Sequence, residues 1–238
     1  MIYVLSDIHG NQRRFASIMG QINLKPEDTL YVLGDVIDRH PGGIRILRRL
    51  MAMPNAKLLL GNHEYMMLRA LGHPKDTNVD DGTARAHWYR NGGKATMDHF
   101  KRLRKILRAQ IIAYLLDLPL SYDVTVNGVN YKLVHGGPAE CFDHDPKHPT
   151  PTHYAVWKRW VAEDPAPTDY TMIFGHTPTR YYRDIAPMEV WFDQNRIGID
   201  CGAGYPEDPA EELSRYGRLA CLRLDDMQVF YSQEETPE

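Results

Sequence analysis

Five stretches of this chain place side chains that can bind metal where an apolar run stops. In chain order they supply Asp7 with His9, Asp35, Asn62 with His63, His135, and His176. A single junction of this kind is equally well interpreted as a strand end with a surface ion pair. Five of them, each beside a glycine or a tight loop, are hard to explain by packing, because carboxylates and imidazoles drawn together need partners. These residue types therefore predict metal chemistry.

The kinds of ligand narrow the choice of metal. Carboxylate, imidazole and amide groups together suit borderline divalent ions such as Mn, Fe, Zn or Ni better than an all-oxygen calcium site. A thiolate zinc site is disfavoured because Cys141, Cys201 and Cys221 are widely spaced and form no CxxC pair. One well-placed carboxylate can bridge two ions, so this set of ligands is also compatible with a metal pair.

The elements that position these residues alternate in the first third of the chain. Apolar runs at 2–5, 29–33 and 57–60 each end in a loop with candidate ligands, and a segment with helical apolar spacing follows each run. This repetition predicts a parallel sheet with crossover helices. We expect the ligands to meet at the edge formed by the carboxyl ends of the strands, where α/β enzymes place their acids.

The pattern changes after residue 72. Loop signals, including Asp80-Asp81-Gly82, run through 72–93, and 94–116 is predicted to be mostly helical. His144 falls in an irregular polar loop, followed by a short helix predicted at 154–161. Further strands are predicted at 120–126, 129–134, 171–174, 190–192, 196–199, 218–224 and 228–231. The fold class is α/β, with one domain over residues 1–238 and a helical insertion at 72–118.

Composition disfavours several classes of function. The chain has 238 residues with 28 basic and 31 acidic side chains, so its net charge of −3 favours neither nucleic acid nor an anionic membrane. No apolar run approaches the length of a membrane span, and the sequence opens without a signal-peptide pattern. Three scattered cysteines favour a reducing compartment. We expect a cytoplasmic protein with no nucleic-acid or membrane partner; the sequence does not indicate the oligomeric state.

Several motifs carry a family resemblance that covers nearly the whole chain. Asp7-Ile8-His9-Gly10, Gly34-Asp35-Val36-Ile37-Asp38-Arg39 and Gly61-Asn62-His63-Glu64 resemble the signature motifs of the phosphoprotein-phosphatase branch of the calcineurin-like metallophosphoesterases. The resemblance continues through 134–137, 174–178 and 199–203, and 88–96 is similar to bacterial and phage members. His40 departs from the pattern, because the family usually has glycine at that position.

The resemblance implies a fold and a set of roles. The fold would be a sandwich of two mixed β-sheets with helices outside and a two-metal site at the strand ends. The first ion would be bound by Asp7, His9 and Asp35, and the second by Asp35, Asn62, His135 and His176. The catalytic groups would be His63 as general acid, Asp38 as the residue that orients it, and Arg39 and Arg159, which together with Asn62 would contact the substrate phosphate.

The implied activity is hydrolysis of phosphoproteins at serine or threonine, with phosphotyrosine as a further substrate, by direct attack of a metal-bound hydroxide. The activity would require two divalent metal ions, for which manganese is preferred and Fe, Zn or Ni are alternatives. A second hypothesis is a symmetrical diadenosine-tetraphosphate hydrolase, ranked lower because those enzymes usually have aspartate where this chain has Glu64. A third is a non-catalytic homologue that binds phosphorylated partners, which the intact set of ligands and His63 disfavours.

Other conspicuous residues are interpreted as structural. His73, His87 and His99 match no motif position, and Trp157 and Trp160 are expected in the core. Glu64 is expected to bond nearby backbone or an arginine, and Cys201 to be a buried, unreactive thiol.

Overall fold

The computed structural model describes residues 1–76, 82–143, 146–205 and 217–233; the predicted turn at Asp80-Asp81 and His144 lie outside these ranges. The described strands are β1 Ile2–Leu5, β2 Thr29–Val32, β3 Ala56–Leu58, β4 Ser121–Val126, β5 Val129–Val134, β6 Thr171–Phe174, β7 Trp191–Asp193, β8 Arg196–Gly198, β9 Ala220–Arg223 and β10 Gln228–Tyr231. The described α-helices are α1 Gln12–Ile22, α2 Gly43–Met51, α3 Asn62–Ala70, α4 Ala84–Arg90, α5 Gly93–Phe100, α6 Lys105–Asp117 and α7 Pro151–Trp157.

The strands form two five-stranded mixed sheets. The first has the order β10-β9-β1-β2-β3, in which β1, β2 and β3 are parallel and β9 and β10 are antiparallel additions. The second has the order β4-β5-β6-β8-β7, with a parallel centre formed by β5, β6 and β8. The α/β class and the two-sheet architecture are therefore confirmed.

Alternating side chains on the strands hold the two sheets face to face. Val4 in β1 packs into a buried cluster that also contains Leu133 and Ile173 of the second sheet. Its neighbours Tyr3 and Leu5 belong to a different cluster, which they share with the helices on the outer face of the first sheet. This follows from the two-residue period of a strand, which sends successive side chains to opposite faces.

Two predicted helices differ from those observed. The segment 94–116 is divided between α5 and α6, and the break falls between Phe100 and Lys105, where the sequence has neither glycine nor proline. The helix predicted at 154–161 is instead α7, at Pro151–Trp157: Thr150 caps it by accepting a hydrogen bond from the His153 N–H, and Pro151 occupies its first turn. Within the described ranges, no helix is both long and apolar enough to cross a membrane.

Arg196 fastens the loop that follows α7 to the second sheet. Its side chain is buried within β8 and donates to the carbonyl oxygens of Val161 at 3.1 Å, Ala162 at 2.8 Å and Asp164 at 2.7 Å. A fourth contact, with the Asp193 carboxylate, completes the anchor. Since Arg159 and Trp160 lie on the same loop, Arg196 links the sheet to residues discussed below.

Replacing Arg196 with methionine keeps the apolar stem and removes these donors. We expect the free energy of unfolding, measured by urea denaturation, to fall by about 2 kcal/mol, since hydrogen bonds to a charged group contribute most per bond. Lys101→Met is the matched control, because it removes an exposed ion pair with Asp98 and should cost less than about 0.5 kcal/mol. Equal losses in the two variants would contradict the anchoring role.

Candidate metal centre and active site

The predicted ligands converge where the carboxyl ends of both sheets meet. β1 leads to Asp7, β2 to Asp35, β5 to His135 and β6 to His176, and all of these side chains are buried. Among the described residues, eleven non-glycine residues have a positive φ, and six are candidate site residues: Asp7, His9, Asp35, Asp38, Arg39 and His176. Left-handed backbone is sparsely populated by such residues. The loops therefore accept local strain to turn these side chains inward.

His9 presents a lone pair to two carboxylates. Its Nδ1 lies 3.3 Å from the Ile37 carbonyl oxygen, which can only accept, so the proton of the neutral ring is on Nδ1. Nε2 is then unprotonated, yet it lies 3.6 Å from Asp35 Oδ2 and 3.7 Å from Asp7 Oδ1. Electron pairs on three atoms then face one another, an arrangement that a cation between them would stabilise.

The second group repeats this arrangement. His135 Nδ1 donates to the Leu33 carbonyl at 2.7 Å, so its Nε2 lone pair points at Asn62 Oδ1, 2.9 Å away. His176 Nδ1 lies 2.8 Å from the same amide oxygen, and its Nε2 is buried without a hydrogen-bond partner among the described residues. Asp35 Oδ1 is 3.5 Å from His135 Nε2. Ligands bonded to one ion at about 2.1 Å lie roughly 3 to 3.5 Å apart, so these separations fit a second ion.

The electrostatics agree with this fit. Burial raises the pKa of Asp35 well above its ordinary value, and burial together with Arg39 lowers the pKa of His9 well below its own. Burial, with His135 next, likewise lowers the pKa of His176. A divalent ion would stabilise the ionised form of Asp35 and bind the neutral form of both imidazoles. It would therefore offset the electrostatic cost of burying these groups.

The geometry differs from the implied ligand set at one residue. Within the described part of the chain, histidine and carboxylate ligands grouped by distance alone form two triplets: His9, Asp35 and His63, and Asp35, His135 and His176. Asp35 is common to both. His63 replaces Asp7 in the first triplet. His63 faces the centre through Nε2, which lies 3.8 Å from Asp35 Oδ2. Asp7 faces it as well, with Oδ1 3.7 Å from His9 Nε2. Both residues thus lie at the centre, and Asp35 lies between the two groups.

A buried hydrogen-bond network fixes His63. Its Nδ1 donates to Asp38 Oδ2 at 2.7 Å, which leaves Nε2 toward the centre. Asp38 is fully buried and receives two further bonds, from Trp88 Nε1 at 2.7 Å and from the Thr96 hydroxyl at 2.5 Å. The Thr96 oxygen in turn accepts from the Asp38 N–H. Sequence reasoning assigned no role to Trp88 or Thr96, although the resemblance of 88–96 to bacterial members was a signal.

Glu64 shapes the backbone beneath the site. It is fully buried and accepts from the backbone N–H groups of Asp35, Val36, Ile37 and Gly61. The loop after β2 is thereby tied to the start of α3, which carries Asn62 and His63. The structural interpretation of Glu64 is confirmed, because its carboxylate oxygens accept from backbone N–H groups of the two loops.

A pocket of about 760 Å3 opens from the centre and contains both predicted phosphate-binding arginines. Arg159 donates from its Nη1 to the carbonyl oxygen of His176 at 3.0 Å, which holds it at the pocket wall. Trp160 also lines the pocket, although it packs, half-buried, against the hydrophobic cluster that contains Phe174. Its Nε1 donates to the Gly136 carbonyl. Sequence reasoning missed several other lining residues, namely Arg90, Asn91, Tyr181, Asp200 and Tyr205.

These groups can act together on a phosphate ester. Two divalent ions bound by the ligands described would supply Lewis acidity for the phosphate oxygens and acidify water. The forked guanidinium groups of Arg39 and Arg159 can neutralise the remaining oxygens of the phosphate. His63 donates a hydrogen bond from Nδ1 to Asp38, and in its imidazolium form it can give the second proton, on Nε2, to a leaving oxygen.

Comparison with known proteins identifies relatives over most of the chain. The family model for calcineurin-like phosphoesterases matches residues 1–201. A curated symmetrical bis(5'-nucleosyl)-tetraphosphatase of Erwinia tasmaniensis is 24% identical, over 96% of this chain and 95% of that protein. An enzyme of the same description from Proteus mirabilis is 29% identical, but the match covers 42% of this chain, which spans about two fifths (41%) of that relative.

Solved structures share the fold at low sequence identity. A putative diadenosine tetraphosphatase superposes with a TM-score of 0.61 at 17% identity, covering 97% of this chain and 91% of that one. A protein serine/threonine phosphatase from Saccharomyces cerevisiae superposes with a TM-score of 0.51 at 17% identity, covering 100% and 81%. At this level of identity the likeness supports the architecture and leaves the substrate open.

The first prediction about the site separates metal binding from proton transfer. His63→Asn should retain bound manganese but lose turnover of p-nitrophenyl phosphate by at least about a hundredfold, since it removes a proton donor. Asp35→Asn should lose both, because Asp35 lies between the two ligand groups. Metal content after desalting and initial rates measure the two effects, and normal turnover by either variant would contradict the assignment.

The second prediction concerns the support of Asp38. Trp88→Phe keeps the ring but removes the Nε1 donor, so we expect kcat to fall about tenfold with manganese content unchanged, as for other residues that orient a site group. Tyr89→Phe is the matched control, since Tyr89 is the exposed neighbour in α4. A kcat for Trp88→Phe equal to that of the control would show that the bond to Asp38 has no catalytic effect.

Proposed function

The chain belongs to the calcineurin-like phosphoesterase family, and from this premise we propose that it is a metal-dependent hydrolase that cleaves dinucleoside polyphosphates symmetrically. Sequence reasoning favours a phosphoprotein phosphatase and ranks this activity second. The descriptions of the curated relatives support the second hypothesis better than the first. Several of these relatives are matched over less than two thirds of their length, so the substrate is our inference for this chain.

The observation that carries the proposal is the positive charge of the pocket beside the metal centre. Arg39, Arg90 and Arg159 all line it, together with the metal-site residue His176. Two arginines suffice to grip a single phosphate, and Arg90 adds a third, exposed cation from α4. A chain of four phosphoryl groups carries enough charge to engage all three, and a pocket of this volume is in the usual range for small-molecule sites.

Glu64 stands where dinucleotide enzymes usually have aspartate, but its position in the structure removes this objection to a dinucleotide substrate. Both carboxylate oxygens of Glu64 accept hydrogen bonds from backbone N–H groups, and the residue is fully buried. A residue that does not line the pocket cannot select the substrate by contact, so its identity is weak evidence about the substrate.

A phosphoprotein phosphatase remains the second candidate. Arg39 and Arg159 form the pair that a terminal phosphate dianion requires, and both face the pocket. A non-catalytic phosphate-binding homologue is disfavoured by the intact geometry of His63 and Asp38, since a binding module has no use for a fixed proton donor. For either enzyme we propose two divalent ions, with manganese preferred, bound by the residues that the sequence assigns.

The third prediction compares the two substrates directly. With manganese, diadenosine tetraphosphate should yield ADP as its only nucleotide product, and kcat/KM should exceed that for phosphoserine peptides. Arg90→Met should lower kcat/KM for the dinucleotide about tenfold, the size of one charge-assisted hydrogen bond. Arg85→Met, an exposed arginine on the same helix but outside the pocket lining, is the matched control.

Separation of nucleotides by chromatography and release of phosphate from the peptide are the two measurements. ATP and AMP as products would mean asymmetric cleavage and would overturn the proposal. Faster hydrolysis of the peptide than of the dinucleotide would select the phosphoprotein phosphatase instead. Failure of the metal-loaded protein to hydrolyse any phosphoester would favour the binding homologue.

A further inference from the structure

Two tyrosines and an arginine form a cluster at the wall of the pocket, which we call the tyrosine shelf: Arg180, Tyr181 and Tyr205. The Arg180 guanidinium carbon lies 4.8 Å from the centre of the Tyr181 ring and 5.3 Å from that of Tyr205. Both tyrosines line the pocket that also contains Arg39 and His176. The shelf therefore shares one cavity with the phosphate-binding arginines.

Tyr181 is unusual in being both exposed and fixed. Its side chain is 62% exposed, although an aromatic ring gains free energy by burial. The ring does not swing freely, because Arg180 lies over it and the Arg180 Nη2 donates to its hydroxyl at 2.9 Å. The hydroxyl is thus used to hold the ring, and the ring surface that Arg180 does not cover is available to a ligand.

Tyr205 is held from the loop that departs from the family pattern. His40 Nε2 lies 3.3 Å from the Tyr205 carbonyl oxygen, and a carbonyl can only accept, so this nitrogen donates. The His40 backbone N–H bonds the carbonyl groups of His9 and Asp38. The loop that carries Asp38 and Arg39 is therefore connected directly to the shelf, which gives His40 a structural role.

We propose that the tyrosine shelf is a nucleobase subsite, in which a base stacks on Tyr181 while the phosphates lie against Arg39 and Arg159. Aromatic rings bind bases through their faces and tolerate any base, because every base has a π-face. Fixing the ring in advance lowers the entropy cost of binding. Arg180 holds the Tyr181 ring through a cation–π contact, which leaves the uncovered ring surface for the base.

A nucleobase fits the shelf better than a peptide side chain does. A phosphopeptide passes its backbone along the site and needs donors and acceptors for it, whereas the two shelf tyrosines offer ring surface in a cavity that also contains three arginines. A nucleotide has one flat base and one anionic end. The pocket offers tyrosine rings for the base and arginines for the phosphates. This inference rests on the proposed function and specifies which residues select its substrate.

The fourth prediction uses two ligands that differ only in the base. AMP and ribose 5-phosphate should each inhibit hydrolysis of p-nitrophenyl phosphate by the manganese-loaded enzyme. We expect AMP to have an inhibition constant about tenfold lower, from the stacking of one base. In Tyr181→Ala the ratio of the two constants should fall toward one, and in Tyr181→Phe, which keeps the ring, most of the ratio should remain.

Phe192→Ala is the matched control, because Phe192 is an exposed aromatic residue that lies outside the pocket lining, and it should keep the ratio of the wild type. A wild-type ratio near one, or a ratio that Tyr181→Ala leaves unchanged, would overturn the subsite. Cleavage of diadenosine tetraphosphate to ADP is measured separately. Its absence together with a tenfold ratio would overturn the proposed function and leave the subsite standing.

Discussion

The whole site depends on the electrostatic cost of bringing lone pairs together without water. His9 and His135 each donate the Nδ1 proton to a backbone carbonyl, so their unprotonated Nε2 atoms face carboxylate and amide oxygens. Divalent cations placed among these atoms would relieve the conflict, because each electron pair would then face a positive charge. The rest of the architecture can be understood as a means of holding these atoms at the required separations. Glu64 ties two loops together, and the strand ends bring both sheets to one point.

The backbone carries part of this cost. Six site residues have left-handed conformations, and glycines allow neighbouring segments to approach them closely. A Cβ at Gly175 would collide with the Ser6 hydroxyl and with Asp7 Oδ2, and one at Gly61 would collide with the Asp35 amide nitrogen. The glycines in these motifs are thus explained by contact, because the site brings backbone against ligand side chains. Strain of this kind is stable only when the surrounding core determines the loop positions.

Much of this could be predicted from sequence, and the exceptions have physical causes. Strand ends were predictable because an apolar run that stops at a glycine and a carboxylate is a local signal. The break between α5 and α6 was not, since Lys101 to Arg104 contains no helix breaker and tertiary packing decides it. The start of α7 could have been found from Thr150 and Pro151, a cap followed by a proline. Trp160 and Tyr181 could not be placed in the pocket, because an aromatic residue suits a core and a ligand site equally well.

The hydrogen bond from Trp88 to Asp38 makes the orientation of the proton donor, His63, depend on two distant parts of the chain. His63 lies in the first turn of α3, whereas Trp88 and Thr96 come from α4 and α5. The metal ligands have no such dependence, since strand ends and the start of α3 supply them. By thermodynamic linkage, any free energy that Asp38 gains from Trp88 and Thr96 is gained equally by the docking of α4 against α3 and of α5 against α2. Partial undocking of these two helices would therefore leave a protein that still holds its ions and has lost its acid. Such a state would be distinguishable from the intact one by hydrogen exchange in α4 and α5 alone.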